Sequence, residues 1–317
     1  MSVVTAPGPA DVERAAVVVR DRLAPTPLLR APNSDIALKL ECLQPSGSFK
    51  IRGAWNSLTD ASDRSKVRTA SAGNMGRAAA WAGRELGRPV VASVPEGAAA
   101  NKIEAMRAMG AAVETVSYDE WWHILDTHGE QFGDGTFVHP FADVRVMAGN
   151  STLSLELVDQ MPDVGTVVVG LGGGGLACGI AAGLAALGHP AELVVVEVDR
   201  TAPLTAALAA EEPVAIDAER TFVDGAGSPR VRDEMWPLLR EAVSRTVTVT
   251  VDEVKSAVKF LAEECHVIAE GAGALGVAAA LAGRLDGGPV ACVVSGGNID
   301  MPVLADIVGA ERPGATA

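Results

Sequence analysis

A lysine in an unusual setting is the first sign of chemistry in this sequence. In the stretch PSGSFKIRG, Lys50 follows Phe49 and a run of small residues, Ser46-Gly47-Ser48. An ordinary surface lysine needs no such setting, whereas small residues allow a bulky group to come very close to the backbone. The stretch therefore indicates a lysine placed beside a bound ligand.

Four consecutive glycines indicate a second ligand contact. The stretch TVVVGLGGGGLACG predicts a buried strand, then Gly172–Gly175, then an apolar helix. Glycines leave their N–H groups unobstructed and a helix begins with a positive partial charge, so the pattern predicts a phosphate site. A GxGxxG motif that begins at Gly170, with Glu197 or Asp199 about 20 residues further on, also fits a dinucleotide. That alternative leaves Lys50 unexplained.

Two further stretches combine hydroxyl groups with glycine. In SAGNMGR, residues Ser71–Asn74 stand where a strand leads into a helix, and they can form a cradle for a carboxylate. Taken alone, the segment is explained better by an N-cap role for Ser71 or Asn74. In VVSGGNID, Ser295 ends a predicted strand, at the sheet edge where α/β proteins usually bind ligands.

These stretches lie in an α/β pattern of short apolar runs and longer alanine-rich segments. The predicted strands cover residues 36–41, 89–94, 111–116, 166–170, 192–198 and 290–295, and the predicted helices cover residues 75–86, 99–109, 119–131, 151–160, 176–187, 251–265 and 273–281. We expect a large domain of residues 1–62 and 143–317, which carries Lys50 and the glycine run, and a small domain of residues 63–142, which carries the predicted carboxylate cradle, with a cleft between them.

Composition and charge limit the function classes. The 317 residues are 48% hydrophobic, enough for a large core, and a net charge of -14 argues against a nucleic-acid or anionic-membrane surface. No apolar run has the roughly 18 residues of a membrane helix, and the N-terminus turns polar too early for a signal peptide. The cysteines and histidines show no zinc spacing. We expect a cytoplasmic protein with a small-molecule substrate.

In their order along the chain, these segments resemble the fold type II pyridoxal-phosphate-dependent enzymes, specifically the serine/threonine dehydratase family of threonine ammonia-lyases and serine racemases. The resemblance covers nearly the whole chain, with GSFKIRGA at Lys50, SAGN at Ser71, HPF at His139, EGAGALG at Glu270 and SGGN at Ser295. It implies a tryptophan synthase β-like fold of two open, twisted α/β domains, with pyridoxal 5'-phosphate in the cleft between them. It also implies a homodimer.

The resemblance gives each motif a role. Lys50 forms the Schiff base with the cofactor aldehyde, and its amine then removes the substrate's α-proton. The implied cofactor-binding residues are Phe49, Lys50, Asn74, Gly172, Gly173, Gly174, Gly175, Leu176 and Ser295, and the implied substrate-binding residues are Ser71, Ala72, Gly73 and Asn74. The implied reaction is β-elimination of water from an amino acid such as L-threonine or L-serine, which gives a 2-oxo acid and ammonia.

Two residues refine the implied reaction. A neutral hydroxyl at Ser295 can donate to an unprotonated pyridine nitrogen, which makes the ring a shallower electron sink and favours elimination over transamination. Serine racemases have a second serine where this chain has Ala72, and that serine acts as a base on the opposite face of the ring. Elimination is therefore expected and racemisation is not.

Departures from the family pattern keep alternatives open. Met75 replaces the usual histidine, and Arg77 lies either on a solvated helix face or near a second substrate carboxylate. The latter position would suit a lyase for 3-hydroxyaspartate or another specialised or osmolyte catabolite. Arg220 stands where some relatives have an acidic metal ligand, so no metal site is predicted. A nicotinamide-dependent dehydrogenase and a noncatalytic interaction module are the remaining alternatives.

Overall fold

Ten strands and twelve α-helices are found in the computed structural model, which describes residues 4–62, 65–133, 135–286 and 288–310. The helices are α1 (Pro9–Arg20), α2 (Lys50–Asp60), α3 (Asn74–Glu85), α4 (Ala100–Ala108), α5 (Tyr118–Asp126), α6 (Val144–Gln160), α7 (Gly175–Leu187), α8 (Pro203–Ala210), α9 (Trp236–Ala242), α10 (Val251–Glu263), α11 (Gly271–Leu281) and α12 (Met301–Gly309). The strands are β1 (Leu28–Arg30), β2 (Ile36–Lys39), β3 (Val67–Ala70), β4 (Val90–Pro95), β5 (Ala112–Val116), β6 (Thr136–Phe137), β7 (Thr166–Gly170), β8 (Glu192–Val198), β9 (Arg245–Val249) and β10 (Val290–Val293).

The strands form two sheets. The larger sheet has the order β1-β2-β10-β7-β8-β9, in which only β1 runs antiparallel to its neighbour. The smaller sheet has the order β5-β4-β3-β6 and is parallel throughout. Strands β7 and β8 are almost wholly buried because hydrophobic clusters cover both faces of the larger sheet. Their continuous valine runs are typical of central parallel strands.

The strand order of the larger sheet positions the candidate site. Strand β10, near the end of the chain, pairs in parallel with β2 on one side and with β7 on the other. The carboxyl ends of these three strands therefore meet at one edge of the sheet. Lys50 follows β2, Ser295 follows β10 and the run Gly172–Gly175 follows β7. Three segments that are far apart in sequence thus reach the same edge.

The predicted strands and helices are all present, although several ends differ. The helix predicted to continue to residue 131 ends at Asp126, because His128 and Gly129 adopt left-handed backbone conformations with φ of 51° and 74°. The helix predicted to begin at residue 151 begins at Val144, where the Asp143 side chain accepts a hydrogen bond from the Arg145 N–H.

Several elements were not predicted, namely α1, α2, α8, α9, α12, β1, β6 and β9, and β3 was predicted only as the strand that leads into Ser71–Asn74, without bounds. Helix α2 is the important omission because it begins with Lys50. Its interior includes Arg52, Asn56 and Ser57, yet all three are buried, so the helix lacks the expected polar face. Helix α2 also packs closely against α6, since a Cβ atom on Gly149 of α6 would lie 2.3 Å from the Arg52 carbonyl oxygen.

The smaller sheet uses residues from 67 to 137, and the larger sheet uses strands on either side of that stretch. The domain boundaries after residues 62 and 142 stay a prediction. None of the helices in the part of the chain that the structure describes has both the length and the apolarity needed to cross a membrane.

Candidate active site

Lys50 is the first residue of α2 and lies in a setting that favours its neutral amine. Its Nζ donates a hydrogen bond of 2.5 Å to the Pro140 carbonyl oxygen and lies 5.0 Å from the centroid of the Phe49 ring. Burial lowers the pKa of Lys50 to about 8, although the Glu270 carboxylate acts in the opposite direction. The free amine is therefore more abundant near neutral pH than it is for an exposed lysine.

The Lys50 segment pairs directly with the Ser295 segment. The Phe49 N–H donates to the Ser295 carbonyl oxygen at 3.0 Å, and Ser48 forms an isolated β-bridge with Gly296. Ser295 itself is buried. Lys50 and Ser295 belong to different sequence motifs. The structure brings them to one place at the edge of the larger sheet.

The glycine run lies between β7 and the first turn of α7. Within the described part of the chain, the N–H groups of residues 172–177 donate to no backbone acceptor, and the first such bond runs from Cys178 to Gly174. These donors are available to an anion. A Cβ atom on Gly173 would lie 2.2 Å from the Phe141 ring, so only glycine allows this approach. Because Pro140 precedes Phe141, one segment contacts both Lys50 and the glycine run.

The Ser71–Asn74 segment connects β3 of the smaller sheet to α3. Ser71 Oγ accepts a hydrogen bond of 3.2 Å from the Gly73 N–H, so part of its hydrogen-bonding capacity serves the local turn. Ala72 is partly buried, and no heavy atom lies within 4 Å of a Cβ placed on Gly73. The space beside this turn is therefore open.

Asn74 ties this segment to the larger sheet. Its Nδ2 donates to Glu270 Oε1 at 2.6 Å, and its Oδ1 accepts from Asn298 Nδ2 at 2.7 Å. Glu270 is the residue of this site to which the sequence analysis gave no role. Burial raises the pKa of Glu270 to about 7 and Asp224 acts in the same direction, against the hydrogen bond from Asn74. The only sequence signal for it was the EGAGALG motif.

A cluster of buried charges lies beneath the lysine. Arg52, two residues after Lys50, donates to both oxygens of the Glu41 carboxylate and to both oxygens of Glu156. Lys39 Nζ also donates to Glu156, at 2.8 Å. The cluster joins α2 to β2 and α6 and holds the beginning of α2 in place.

The departures from the family pattern have definite places. Met75 is 1% exposed and packs in the core of the smaller sheet. Arg77 is half-buried, and its Nε is buried without a hydrogen-bond partner in the described part of the chain. Burial lowers the pKa of Arg77, against the effect of Glu270. Glu219 pairs with Arg200, and Asp224 pairs with Lys102, so cations already neutralise these two carboxylates.

One group of possible metal ligands occurs in the described ranges, formed by His128, His139 and Glu234. His128 Nε2 is hydrogen-bonded to Glu234 at 2.7 Å. His139 Nδ1 accepts from the Ala142 N–H at 2.7 Å, and the ring is also hydrogen-bonded to the backbone of Leu125. Burial lowers the pKa of His139 well below its usual value. Hydrogen bonds thus engage His128 Nε2, His139 Nδ1 and Glu234 Oε2, whereas Glu234 Oε1 is buried without a hydrogen-bond partner among the described residues.

The sequence profile of the pyridoxal-phosphate dependent enzymes matches residues 19–296 of this chain. The chain belongs to this family. Within it, L-threonine ammonia-lyase of Thermotoga maritima is 37% identical over 300 residues, which cover 92% of this chain and 74% of the relative. Catabolic L-threonine dehydratase of Staphylococcus aureus is 30% identical over 315 residues, which cover 94% of this chain and 91% of the relative.

A solved structure confirms the fold type II assignment. Maize serine racemase superimposes with a TM-score of 0.87 at 27% identity, over 95% of this chain and 97% of the racemase. The family membership and these relatives identify a pyridoxal-phosphate-dependent carbon–nitrogen lyase of the serine/threonine dehydratase group. The fold, the enzyme class and the cofactor predicted from the sequence are confirmed.

The residues present fit pyridoxal phosphate. Lys50 supplies an amine with a lowered pKa, and the glycine run supplies unused N–H donors at a helix N-terminus. The dinucleotide alternative is not favoured. Both oxygens of Glu197, which a dinucleotide ribose would need, are used within the protein by the Leu204 N–H and by the N–H and hydroxyl of Thr205.

Proposed function

We propose that this lyase dehydrates L-threonine or L-serine to a 2-oxo acid and ammonia. The observation that carries the proposal is the meeting of the Lys50 amine, the glycine run and the Asn74 amide at one sheet edge, in a relative of L-threonine ammonia-lyases. When bound, pyridoxal phosphate supplies an electron sink that stabilises negative charge at the substrate's α-carbon. The protein supplies the binding groups and moves the proton.

Lys50 is the base in this proposal. Its Nζ has a pKa lowered to about 8, so the neutral amine that can accept the α-proton is more populated at neutral pH than it is in an exposed lysine. The Pro140 carbonyl oxygen accepts a hydrogen bond from Nζ and limits where the amine can lie. Helix α2 begins at Lys50 and is held in place by the hydrogen bonds of Arg52, so the backbone atoms that carry the Lys50 side chain have a fixed position.

The remaining roles follow the binding groups. We assign the phosphate to the N–H donors of Gly172–Gly175 and Leu176, and the face of the ring to Phe49. We assign the pyridine nitrogen to the Ser295 hydroxyl and the ring oxygen to Asn74. The substrate carboxylate is assigned to the turn formed by Ser71, Ala72, Gly73 and Asn74. Uncharged donors at a helix N-terminus suit a carboxylate of that kind.

Organisation and location are part of the same proposal. Residues 1–62 and 143–317 form the large domain and residues 63–142 the small one, in support of which each sheet draws its strands from one of these sets. The chain acts as a homodimer, as the resemblance implies, and works in the cytoplasm. Four buried cysteines without disulfide bonds support a reducing compartment. Sedimentation equilibrium at twice the chain mass tests the dimer.

The test of the proposed function is 2-oxo acid release by the cofactor-saturated protein from L-threonine, L-serine and L-threo-3-hydroxyaspartate. Lys50→Ala is expected to abolish release, whereas Lys255→Ala, at an exposed lysine paired with Asp252, should leave it unchanged. Release that survives in Lys50→Ala would contradict the role of Lys50. Release from 3-hydroxyaspartate alone would replace the proposed substrate, and no release from any of the three would contradict the dehydratase assignment.

A further inference from the structure

The orientation of the Asn74 side-chain amide is fixed by a chain of hydrogen bonds. Asn298 Nδ2 donates both to the Ser46 carbonyl oxygen, at 3.1 Å, and to Asn74 Oδ1, at 2.7 Å. The Ser46 carbonyl can only accept, so it determines which end of the Asn298 amide faces it. Asn74 must then present Oδ1 to Asn298 and Nδ2 to Glu270.

This orientation leaves one N–H of Asn74 for a ligand. An amide nitrogen carries two hydrogens, and within the described part of the chain Glu270 is the one acceptor of Asn74 Nδ2. The second hydrogen is therefore available to a ligand. A Cβ atom on Gly296 would lie 2.3 Å from Glu270 Oε1 and 3.2 Å from Asn74 Nδ2, so the absence of a side chain at Gly296 makes room for both groups.

Glu270 does not serve its own helix. It occupies the N-cap position of α11, but its side chain makes no capping hydrogen bond there. The carboxylate instead accepts a hydrogen bond from Asn74, the first residue of α3, which is 196 residues away in sequence. It is also hydrogen-bonded to the backbone of Asn298. The titratable groups that act on it or feel its charge are Cys42, Lys50, Arg77, Lys102 and Asp224.

We propose that Glu270 is a positioning residue that holds the Asn74 amide so that its second N–H points to the oxygen on the cofactor ring. This inference rests on the proposed function, because that oxygen belongs to bound pyridoxal phosphate. The ionised carboxylate can only accept, so it holds Asn74 Nδ2 in the orientation that Asn298 sets. The protonated carboxyl is a weaker acceptor and can also donate, so protonation loosens the hold of Glu270 on the amide while the contact with Asn298 remains. Since burial raises its pKa to about 7, both forms are accessible at neutral pH.

Pyridoxal phosphate affinity of the apoprotein, measured by fluorescence titration, tests this coupling without relying on turnover. Glu270→Ala and Asn74→Ala are each expected to weaken binding by about tenfold, because the first leaves the Asn74 donor unpositioned and the second removes that donor. The double variant should be no weaker than Asn74→Ala alone. Losses that multiply in the double variant would overturn the proposal. Thermal unfolding beside the exposed control Glu241→Ala checks that each variant is folded.

Glu270→Gln separates positioning from a merely structural role. Glutamine keeps an acceptor for Asn74 Nδ2 but does not titrate, so its affinity should stay within about threefold of wild type. The comparison is made in a Lys50→Ala background, because Glu270 also raises the pKa of Lys50 and that titration would differ between the two proteins. As pH falls through about 7, the affinity of Lys50→Ala should fall relative to that of Lys50→Ala/Glu270→Gln. A ratio independent of pH would overturn the proposal, even if Glu270→Ala fails to fold. If the wild-type protein shows no cofactor binding that depends on Lys50, the proposed function is refuted instead.

Discussion

Arg52 and Glu156 are joined by two hydrogen bonds of 2.7 Å each, although both side chains are almost completely removed from solvent. Arg52 makes three further hydrogen bonds, two to Glu41 and one to Thr152, so all five of its N–H groups have partners. Such a pair is costly to desolvate and also costly to break, because one charge is then left buried alone. Arg52 lies two residues after Lys50 in α2.

Arg52→Met is expected to destabilise the protein because it leaves the Glu41 and Glu156 carboxylates buried without their main cation. We expect the free energy of unfolding to fall by about 3–5 kcal/mol. Urea unfolding of the apoprotein measures the change, and Arg240→Met at an exposed position of α9 is the control. A change as small as that of the control would contradict the role given to the cluster.

The His128–Glu234 contact predicts a pH-dependent contribution to stability. The hydrogen bond that His128 donates to Glu234 raises the pKa of His128 above its usual value, against burial, with smaller contributions from Asp143 and Glu130. Since the folded-state pKa is raised, the stabilisation is fully present below the unfolded-state pKa and is lost as pH rises through the folded-state value.

His128→Gln should therefore cost more stability at about pH 6 than at about pH 8, by on the order of 1 kcal/mol. Urea unfolding of both proteins across this range gives the difference. His123→Gln, at a histidine on α5 with no ion pair in the described residues, is the matched control. An equal cost at both pH values would show that the His128–Glu234 contact makes no pH-dependent contribution to stability.

Gly173→Ala is expected to weaken cofactor binding because its Cβ would lie 2.2 Å from the Phe141 ring. The loop must then shift, and its N–H donors lose their alignment, so we expect the dissociation constant of pyridoxal phosphate to rise at least about tenfold. Gly309→Ala has open space around its Cβ and should bind as the wild type does. Unchanged affinity in Gly173→Ala would rule out the close packing as a requirement for binding.

The lowered pKa of Lys50 predicts how fast the apoprotein takes up the cofactor. Only the neutral amine attacks an aldehyde, so the rate of uptake should rise with pH and level off above about 8. Glu270 raises the pKa of Lys50, so Glu270→Gln should shift the midpoint to lower pH. Stopped-flow absorbance measures the rate. A midpoint near the ordinary lysine value of about 10.4 would contradict the effect of burial.

Local sequence patterns were sufficient wherever a feature depends on neighbouring residues. Strands β7 and β8 have the ends predicted for them, because continuous valine runs are bounded by glycine or charged residues. The position of the glycine run between a strand and a helix was predicted for the same reason. Helix α2 was not predicted, because Arg52 and Asn56 look exposed in the sequence and become buried only through partners on other elements.

The sequence by itself therefore determined the α/β class, the lysine, the glycine run and, through the order of its motifs, the family. The tertiary structure decided which of these residues meet. The insertion of β10 between β2 and β7 places Ser295 beside Phe49, and the contact between Asn74 and Glu270 spans 196 residues. The physical reason is that strand pairing and the burial of charge depend on the whole fold, whereas glycine conformation and apolar periodicity depend on a few consecutive residues.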